Sequence, residues 1–332
     1  MKFLVVGLGS MGKRRIRNLQ YLENEVLGFD TREDRIKEAS EKYNIKSFVN
    51  IEEAIKESPD AMVISTPPDL HMRYAKIAIK NGLHFFTEAS VIQDEMEEVI
   101  EELAKSEIIG IPSCTMRYHP IILEIKNILE KNSIGKPLSF LYHSGQYLPD
   151  WHPWEDYRKF YVSKRETGAC REIVPFELVW IIDTFGDIHS VSSMKSKVSD
   201  LEADIDDIYN VLLNFQNGIQ GNLTVDVIAR FPYRQLKILG EKGVIFADWA
   251  DRTVKYFTKE LGWVDKKIDD GVVEKNYIHG EGPYIEEMRD FIKAIKKEIP
   301  LPYNFVDDLK ILKILESIEK SSDEGTQEFI TK

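Results

Sequence analysis

The residues with the clearest chemical meaning stand near the start of the chain, in a glycine-rich run. After an apolar stretch that predicts a buried strand, the sequence reads Gly7-Leu8-Gly9-Ser10-Met11-Gly12, and an amphipathic stretch that predicts a helix follows. In this setting the first glycine permits a tight turn, the second lets the backbone approach a pyrophosphate, and the third lets the helix pack on the strand. The N-terminus of the helix attracts phosphate. The run therefore predicts a dinucleotide-phosphate site made by Gly7, Gly9, Ser10, Met11 and Gly12.

An acidic residue ends the second predicted strand, over residues 26–30. Asp30 follows Gly12 by 18 residues, which is where a carboxylate hydrogen-bonds the 2′-hydroxyl of a dinucleotide ribose. This acid favours NAD as the cofactor, but Arg32 and Arg35 can reach a 2′-phosphate, so NADP stays open. We expect the cofactor to contact Asp30, Thr31, Arg32 and Arg35. The structural alternative is a glycine turn in which Asp30 caps a helix.

These side chains need a scaffold, and the first 115 residues predict one. Short apolar strands alternate there with helical patterns, which is typical of a parallel, doubly wound sheet. Asn50 and Asp69 stand where helix N-caps belong, and Gly82 stands where a helix C-cap glycine belongs. We therefore predict an N-terminal dinucleotide-binding Rossmann domain over residues 1–118.

The pattern changes from about residue 120 to long alternating strands. Asn217-Gly218 joins two such runs, and this dipeptide is a strong hairpin signal. The whole chain is predicted to be α/β, with a Rossmann doubly wound parallel sheet followed by a C-terminal α+β domain with a large, mostly antiparallel sheet. We assign this second domain to residues 119–332, and its predicted helix over 305–320 can pack back on the first domain.

Composition excludes several classes of function. Lys and Arg number 44 and Asp and Glu 56, so the net charge of −12 disfavours a nucleic-acid binder. Two cysteines without a CxxC pair fit a reducing compartment, and no segment has the roughly 18–20 apolar residues that cross a bilayer. We expect a cytoplasmic protein that uses neither nucleic acid, membrane nor metal. The basic run Lys13-Arg14-Arg15 is interpreted as a surface face for at least two residues, and the acidic segment 200–207 as a solvated turn or a subunit-facing surface.

Several motifs together resemble the Gfo/Idh/MocA oxidoreductases, the glucose–fructose oxidoreductase and inositol dehydrogenase type. Beside the glycine run they are the turn Thr66-Pro67-Pro68-Asp69-Leu70-His71, the helix end Asn81-Gly82, and Arg117. The resemblance covers nearly the whole chain. It implies that the second domain carries a sugar, polyol or nucleotide-sugar substrate and forms a homodimer or homotetramer through its sheet. It also implies cofactor contacts from Ser65, Thr66, Pro67, His71, Glu88 and Arg117.

The chain departs from this family at the residues that handle protons. The family usually reads Glu-Lys-Pro where this chain reads Glu88-Ala89-Ser90. A later family motif places an Asp, and a His four residues on, over the nicotinamide. Here Glu172 falls at the Asp position and Phe176 near the His position. The resemblance therefore implies cofactor binding, whereas oxidation of an alcohol needs other proton-handling residues.

Two acids are candidates for that role. Oxidising an alcohol to a ketone needs a base whose pKa lies near neutrality, and burial raises the pKa of a carboxyl. Glu172 and Glu177 stand at or within a predicted helix over residues 173–184. The structural alternative is that Glu172 pairs with Arg171 or another cation. Glu177 lies in a strongly apolar run, and burying a carboxylate without a partner is costly. It therefore needs either a hydrogen-bonding or ion-pair partner or a functional role.

A loop rich in aromatic and charged residues offers further candidates. It reads Trp151-His152-Pro153-Trp154-Glu155-Asp156-Tyr157-Arg158. Trp151 and Trp154 can stack on a sugar or a base, whereas His152 and Tyr157 can move protons. Arg158 and Arg171 can bind a carboxylate or phosphate of the substrate. Such a loop can also seal a subunit interface.

The leading hypothesis is an NAD(P)-dependent oxidoreductase that transfers a hydride between the nicotinamide and a hydroxyl or ketone of a sugar, polyol or nucleotide sugar. Two alternatives stay open. The enzyme can use bound NAD transiently for elimination or epimerisation, or the chain can be a non-catalytic NAD-binding sensor or scaffold. Glu88 without the following Lys favours the last reading, and the polar loop over 151–165 favours the two enzymes.

Overall fold

The computed structural model of the chain describes residues 1–151, 153, 155–269, 271–274 and 280–330. The chain divides into two compact units, one made by Met1–Thr115 with Gly271–Lys310 and the other by Met116–Asp270 with Ile311–Lys332. The predicted boundary after residue 118 is three residues from the one observed. The predicted extent of the second domain, 119–332, needs a correction, because residues 271–310 belong to the first unit.

The helices and strands follow the predicted alternation. The helices are α1 (Ser10–Tyr21), α2 (Glu33–Tyr43), α3 (Ile51–Lys56), α4 (His71–Lys80), α5 (Met96–Ala104), α6 (Pro120–Glu130), α7 (Cys170–Phe185), α8 (Gly282–Ile295) and α9 (Phe305–Glu324). The strands are β1 (Lys2–Val6), β2 (Glu25–Phe29), β3 (Lys46–Phe48), β4 (Ala61–Ile64), β5 (His84–Thr87), β6 (Gly110–Pro112), β7 (Pro137–Tyr147), β8 (Ile188–Ser196), β9 (Ile208–Phe215), β10 (Gln220–Asp226), β11 (Ile228–Gly240), β12 (Gly243–Asp248), β13 (Thr253–Thr258), β14 (Gly262–Lys267) and β15 (Glu328–Phe329). No helix in the described ranges is long and apolar enough to span a membrane.

The first unit contains a six-stranded sheet in the order β3-β2-β1-β4-β5-β6. All of its strand pairs are parallel, as the buried apolar strands predicted. This is the Rossmann order, and it reverses between β1 and β4. Sheets of this kind bind ligands at the carboxyl ends of the strands beside that reversal.

Helix α8 explains why residues 271–310 join the first unit. Its apolar face is buried, and the Phe291 ring lies 6.3 Å from that of Phe3 and 5.8 Å from that of Phe86. The first turn of α9 also packs on the first unit, since the Phe305 ring lies 5.7 Å from that of Phe85. These apolar side chains complete the core around the parallel sheet, and burial of such area is the main stabilising contribution to folding.

The second unit contains a nine-stranded sheet in the order β14-β13-β12-β11-β7-β10-β9-β8-β15. The β7–β10 pair is parallel, and the other pairs are antiparallel. The Asn217-Gly218 hairpin is confirmed by the pairing of Leu213 with Gly221. The predicted inward face of this hairpin is buried, and α7 packs against it, since the Phe185 ring lies 6.1 Å from that of Phe215 at the end of β9.

Two of the three predicted helix caps are confirmed. The Asn50 side chain accepts a hydrogen bond from Glu53 N, and Gly82 follows α4 with a φ of +70°. The predicted cap at Asp69 is wrong. Asp69 lies inside a short 3-10 helix that begins at Pro68, and α4 starts at His71 without a side-chain cap. The fixed φ of proline suits the first position of that tighter turn.

Candidate active site

The glycine run forms the turn between β1 and α1. Gly7 has a φ of +91°, and a Cβ there would lie 2.5 Å from the carbonyl oxygen of Ser65. A Cβ on Gly12 would lie 1.8 Å from the carbonyl oxygen of Gly7. No side chain caps α1, which begins after Gly9 and carries Ser10 and Met11 in its first turn. The helix end therefore keeps the partial positive charge that attracts phosphate, and the glycines leave room for it.

Asp30 is buried beside this turn and is held by the backbone. Its Oδ2 accepts a hydrogen bond from Leu8 N at 2.7 Å, and its Oδ1 accepts one from Arg32 N at 2.9 Å. Each oxygen keeps a second lone pair for a ribose hydroxyl, whereas a 2′-phosphate would meet a fixed negative charge. These acceptor oxygens therefore suit NAD.

Thr31, Arg32 and Arg35, the other residues predicted to contact the cofactor beside Asp30, lie in different surroundings. The Arg35 Nη1 atom lies 3.9 Å from Asp30 Oδ2, and a Cβ on Gly9 would lie 3.4 Å from the same nitrogen. Arg32 pairs with Asp34 at the surface, and Thr31 is exposed. Arg35 is thus the basic side chain nearer to the glycine turn.

The turn after β4 leaves two polar atoms buried without a hydrogen-bond partner among the described residues, Thr66 Oγ1 and His71 Nδ1. The other ring nitrogen of His71 lies 3.0 Å from the Thr66 carbonyl oxygen, and burial lowers the pKa of the imidazole, which favours its neutral form. Pro67 is exposed between them. Buried polar atoms without partners, beside the reversal of strand order, indicate a place where a bound ligand can supply the missing hydrogen bonds.

Glu88 directly follows β5 and is held by Arg15 in a two-pronged ion pair. Arg15 Nε and Nη2 donate to the carboxylate at 2.8 and 2.7 Å, and Ser65 Oγ donates at 2.8 Å. Arg15 Nη1 also lies 2.9 Å from Glu287. Burial raises the pKa of Glu88, but Arg15 and Ser65 outweigh it and the pKa lies below its ordinary value. Glu88 is therefore an ionised, fixed acid.

The basic run at the start of α1 was expected to face solvent, and this is wrong for two of its three residues. Arg14 and Arg15 are 3% and 0% exposed. Arg14 Nε donates to Glu281 at 3.0 Å, and Arg15 bridges Glu88 and Glu287. Buried guanidiniums need carboxylate partners, and these partners come from distant parts of the sequence.

Glu172 lies in the first turn of α7 in the second unit. Its Oε1 accepts a hydrogen bond from the Tyr161 hydroxyl at 3.1 Å. Its Oε2 is buried and has no hydrogen-bond partner among the described residues. Burial raises the pKa of Glu172 to about 7, although the hydrogen bond from Tyr161 opposes this. The carboxyl is therefore able to gain and lose a proton near neutral pH, which is the property that a general base requires.

Glu177 lies one and a half turns further along α7 and is completely buried. Its Oε1 accepts from Arg234 Nε, and its Oε2 accepts from the Tyr142 hydroxyl and from Trp180 Nε1, each at 2.8 Å. Both oxygens are thus occupied by donors from the protein itself. The carboxylate has the partners that its apolar surroundings demand, and this arrangement favours a structural role for Glu177.

The predicted substrate loop is tied to the acidic segment 200–207. Arg158 pairs with Asp156 and with Glu202, and the Tyr157 hydroxyl accepts a hydrogen bond from the Glu202 N–H. The segment therefore faces this loop of its own chain. Among the described residues, no group of three or more His, Cys, Asp or Glu side chains is placed to hold a metal ion.

The remaining predicted site residues are placed as follows. Arg171 donates to Glu319 Oε1 at 2.8 Å, and Arg117 pairs with Asp183 of α7. The indole N–H of Trp151 is buried without a hydrogen-bond partner among the described residues. His152 and Trp154 lie outside the described residues, so their predicted roles stay predictions.

Two solved structures share this fold over the whole chain. An oxidoreductase from Agrobacterium radiobacter, in complex with NAD+, L-tartaric acid and magnesium, has a TM-score of 0.88 at 14% identity and covers 99% of this chain and 98% of its own. Levoglucosan dehydrogenase, in complex with NADH, has a TM-score of 0.85 at 18% identity and covers 100% of this chain and 99% of its own.

The sequence itself is similar to known enzymes. The myo-inositol 2-dehydrogenase of Thermotoga maritima is 25% identical, covering 98% of this chain and 97% of its own. Residues 1–109 match the model of an oxidoreductase family with an NAD-binding Rossmann fold, and residues 122–246 match the model of the GFO/IDH/MocA C-terminal domain. The chain therefore belongs to the GFO/IDH/MocA oxidoreductase family, and its N-terminal part is the NAD-binding domain of that family.

Proposed function

We propose that this protein is an NAD-dependent dehydrogenase that oxidises a hydroxyl of a sugar or polyol, with Glu172 as the proton acceptor. The observation that carries the proposal is the state of the Glu172 carboxyl. It combines a pKa near 7 with a buried oxygen, Oε2, that has no hydrogen-bond partner among the described residues. Glu172 also falls where the family places an Asp, so it is the natural replacement for that acid.

The cofactor would be held by the glycine turn and by Asp30. The uncapped end of α1 suits the pyrophosphate, and the lone pairs of Asp30 suit the ribose hydroxyls. Bound NAD+ supplies the hydride acceptor. Glu172 accepts the hydroxyl proton on Oε2 and becomes a neutral carboxylic acid, which its buried surroundings favour. In the reverse direction the same oxygen returns the proton to the carbonyl oxygen of the substrate.

The charges of the second unit favour an uncharged substrate over a nucleotide sugar. Arg158 and Arg171, the two predicted anion binders, are engaged by Asp156, Glu202 and Glu319 of the same chain. A phosphate would have to displace these carboxylates. The relatives named for myo-inositol and levoglucosan support a sugar or polyol as well.

The test is turnover with NAD+ on a panel of uncharged sugars and polyols that includes myo-inositol and levoglucosan, with UDP-N-acetylglucosamine as the charged comparison. Nicotinamide absorbance and product mass are read together. The proposal expects NADH to form with a product two hydrogens lighter. A changed product without NADH would indicate transient oxidation, and NAD binding without conversion would indicate a sensor; either outcome contradicts the proposal.

We further propose that two copies associate through the outward face of the nine-stranded sheet. Leu141, Leu212 and Phe246 are 49%, 58% and 39% exposed, although they lie on interior strands of that sheet. Lys237 pairs with both Leu141 and Phe246, and Asn222 pairs with both Leu141 and Leu212, so these side chains form one row across the face. Large apolar side chains exposed on one sheet face, here alternating with Lys237 and Asn222, are typical of a subunit interface.

Sedimentation of the wild-type chain is expected to give a dimer or a tetramer. Leu212→Glu places a charge in the middle of the row and is expected to give monomers. Leu123→Glu, at an equally exposed leucine of α6, is the matched control and should not change the assembly. A monomeric wild-type protein would contradict the proposal.

We place the protein in the cytoplasm as part of the same proposal. Cys114 and Cys170 are both buried, and neither forms a disulfide among the described residues, which suits a reducing compartment. Fractionation of cells that produce the protein, with a cytoplasmic and an exported marker, tests this directly. Recovery with the exported marker would contradict it.

A further inference from the structure

Tyr161 lies in the loop of residues 157–168, here called the 157–168 loop, and contacts Glu172, the proposed proton acceptor. Its hydroxyl donates to Oε1 of Glu172 at 3.1 Å. No sequence motif singles out this tyrosine. It occupies one oxygen of the carboxyl and leaves Oε2 without a hydrogen-bond partner among the described residues.

The backbone around Tyr161 is fastened to the residues that precede α7. Thr167 Oγ1 donates to the carbonyl oxygen of Tyr161 at 2.8 Å. A Cβ on Gly168 would lie 2.3 to 2.4 Å from three backbone atoms of Val162, so the two chain segments are in close contact. Val162 is completely buried. Tyr161 is therefore held by its own backbone in a fixed place relative to the first turn of α7.

The outer side of the 157–168 loop is anchored by charge. Arg165 donates to Asp204 at 2.9 Å and to Asp206 at 2.7 Å, and Arg158 pairs with Glu202. These are surface pairs and each contributes little stability by itself. Together they keep the loop against the acidic segment, so the tyrosine does not depend on a single contact.

The backbone that leads into α7 is strained, as at many functional sites. Ala169 has a φ of +55° and a ψ of −133°, a conformation that is normally adopted by glycine. It lies three residues before Glu172 and is completely buried. Arg171, the charged neighbour of Glu172 on the helix, donates to Glu319 and to the Glu166 carbonyl oxygen. The carboxyl thus has the Tyr161 hydroxyl as a hydrogen-bond donor, whereas Arg171 is engaged elsewhere.

We propose that Tyr161 is a positioning residue for the dehydrogenation: its hydroxyl holds Oε1 of Glu172, so that Oε2 is the oxygen that exchanges the proton with the substrate. This proposal rests on the proposed function of Glu172. The tyrosine keeps its own proton throughout, and the proton of the substrate moves to Oε2 alone.

The hydrogen bond has a consequence that a purely structural contact lacks. A donor favours the ionised form of a carboxyl, so the Tyr161 hydroxyl holds down a pKa that burial raises. Tyr161→Phe removes this donor and keeps the ring. Because a hydrogen bond to a charged group shifts a pKa by roughly one unit or more, we expect the midpoint of Glu172 to rise by about one pH unit.

The measurement is an NMR titration of protein with isotope-labelled glutamate carboxyls, which needs no substrate. The resonance missing in Glu172→Gln assigns the group. Tyr256→Phe, the same chemical change in β13, is the matched control and should leave the midpoint unchanged. Thr167→Val, which removes the bond to the Tyr161 carbonyl oxygen, is the second variant; it should shift the midpoint in the same direction by a smaller amount.

Turnover of Glu172→Gln separates the two proposals. If this variant turns over like the wild type, the proposed function of Glu172 fails and the role of Tyr161 falls with it. If it is inactive but Tyr161→Phe leaves the titration midpoint unchanged, the role of Tyr161 alone is overturned. An inactive Glu172→Gln together with a raised midpoint and a reduced kcat in Tyr161→Phe supports both, provided that the KM for NAD+ is unchanged.

Discussion

Replacing Glu177 by glutamine is expected to destabilise the second unit and to leave the chemistry intact. The carboxylate accepts hydrogen bonds from Arg234, Tyr142 and Trp180, and it is completely buried. All three partners are donors. An amide has one accepting oxygen, and its NH2 group donates, so at least one partner would face another donor. The Arg234 charge would also lose its counterion.

The magnitude follows from these contacts. Removing one partner of a buried ion pair destabilises a protein by about 3–5 kcal/mol, and each kcal/mol lowers the unfolding midpoint of a unit of this size by about 2–4 °C. We therefore expect the calorimetric transition to fall by about 10 °C. Glu130→Gln, at an exposed position of α6, is the control and should change stability by no more than about 0.5 kcal/mol.

The assay pairs calorimetry with turnover measured well below the transition. Folded Glu177→Gln should keep its kcat within about a factor of three, since Oε1 and Oε2 of Glu177 are committed to protein donors. An unchanged transition temperature together with lost turnover would refute this reasoning, because it would make Glu177 a proton-transfer group.

Three further predictions concern the cofactor site and the start of α7. Gly12→Ala should weaken NAD binding by at least about a hundredfold in a fluorescence titration, because its Cβ would overlap the Gly7 carbonyl; Gly82→Ala, where a Cβ meets nothing within 4 Å, should not. Asp30→Ser should weaken NAD binding by about tenfold and improve NADP binding, since one hydrogen bond and one negative charge are lost. Ala169→Gly should raise the unfolding midpoint by a few degrees, because relief of about 1–3 kcal/mol of strain exceeds the entropy cost of glycine.

Local signals in the sequence predicted the parts of the site that depend on neighbouring residues. The glycine run, Asp30 and the Asn217-Gly218 hairpin are each specified by residues within one turn or one strand end. The physics of a tight turn or a helix end acts over that same short distance, so these features could be found without the fold.

Contacts between distant residues could not be found in this way. Arg15 has the sequence setting of a surface residue, and only the fold brings Glu88 and Glu287 to its guanidinium. Tyr161 lies in a loop without periodicity, so nothing local connects it with Glu172. Strand β14 is likewise defined by its pairing with β13, because its residues alternate between half-buried and exposed and none of them is buried.

The central claim is that Glu172 accepts the proton of the substrate hydroxyl in an NAD-dependent oxidation. Its most direct test is the pH dependence of kcat/KM for the wild type and for Glu172→Gln on the sugar or polyol that the panel identifies. A base must be ionised to act, so the wild-type rate should be half of its maximum near pH 7, approach its maximum above that pH and fall tenfold per unit well below it. Glu172→Gln should lose at least about a hundredfold in kcat while binding NAD+ normally. A wild-type profile that is flat through pH 7, or a glutamine variant that keeps its turnover, would contradict the account.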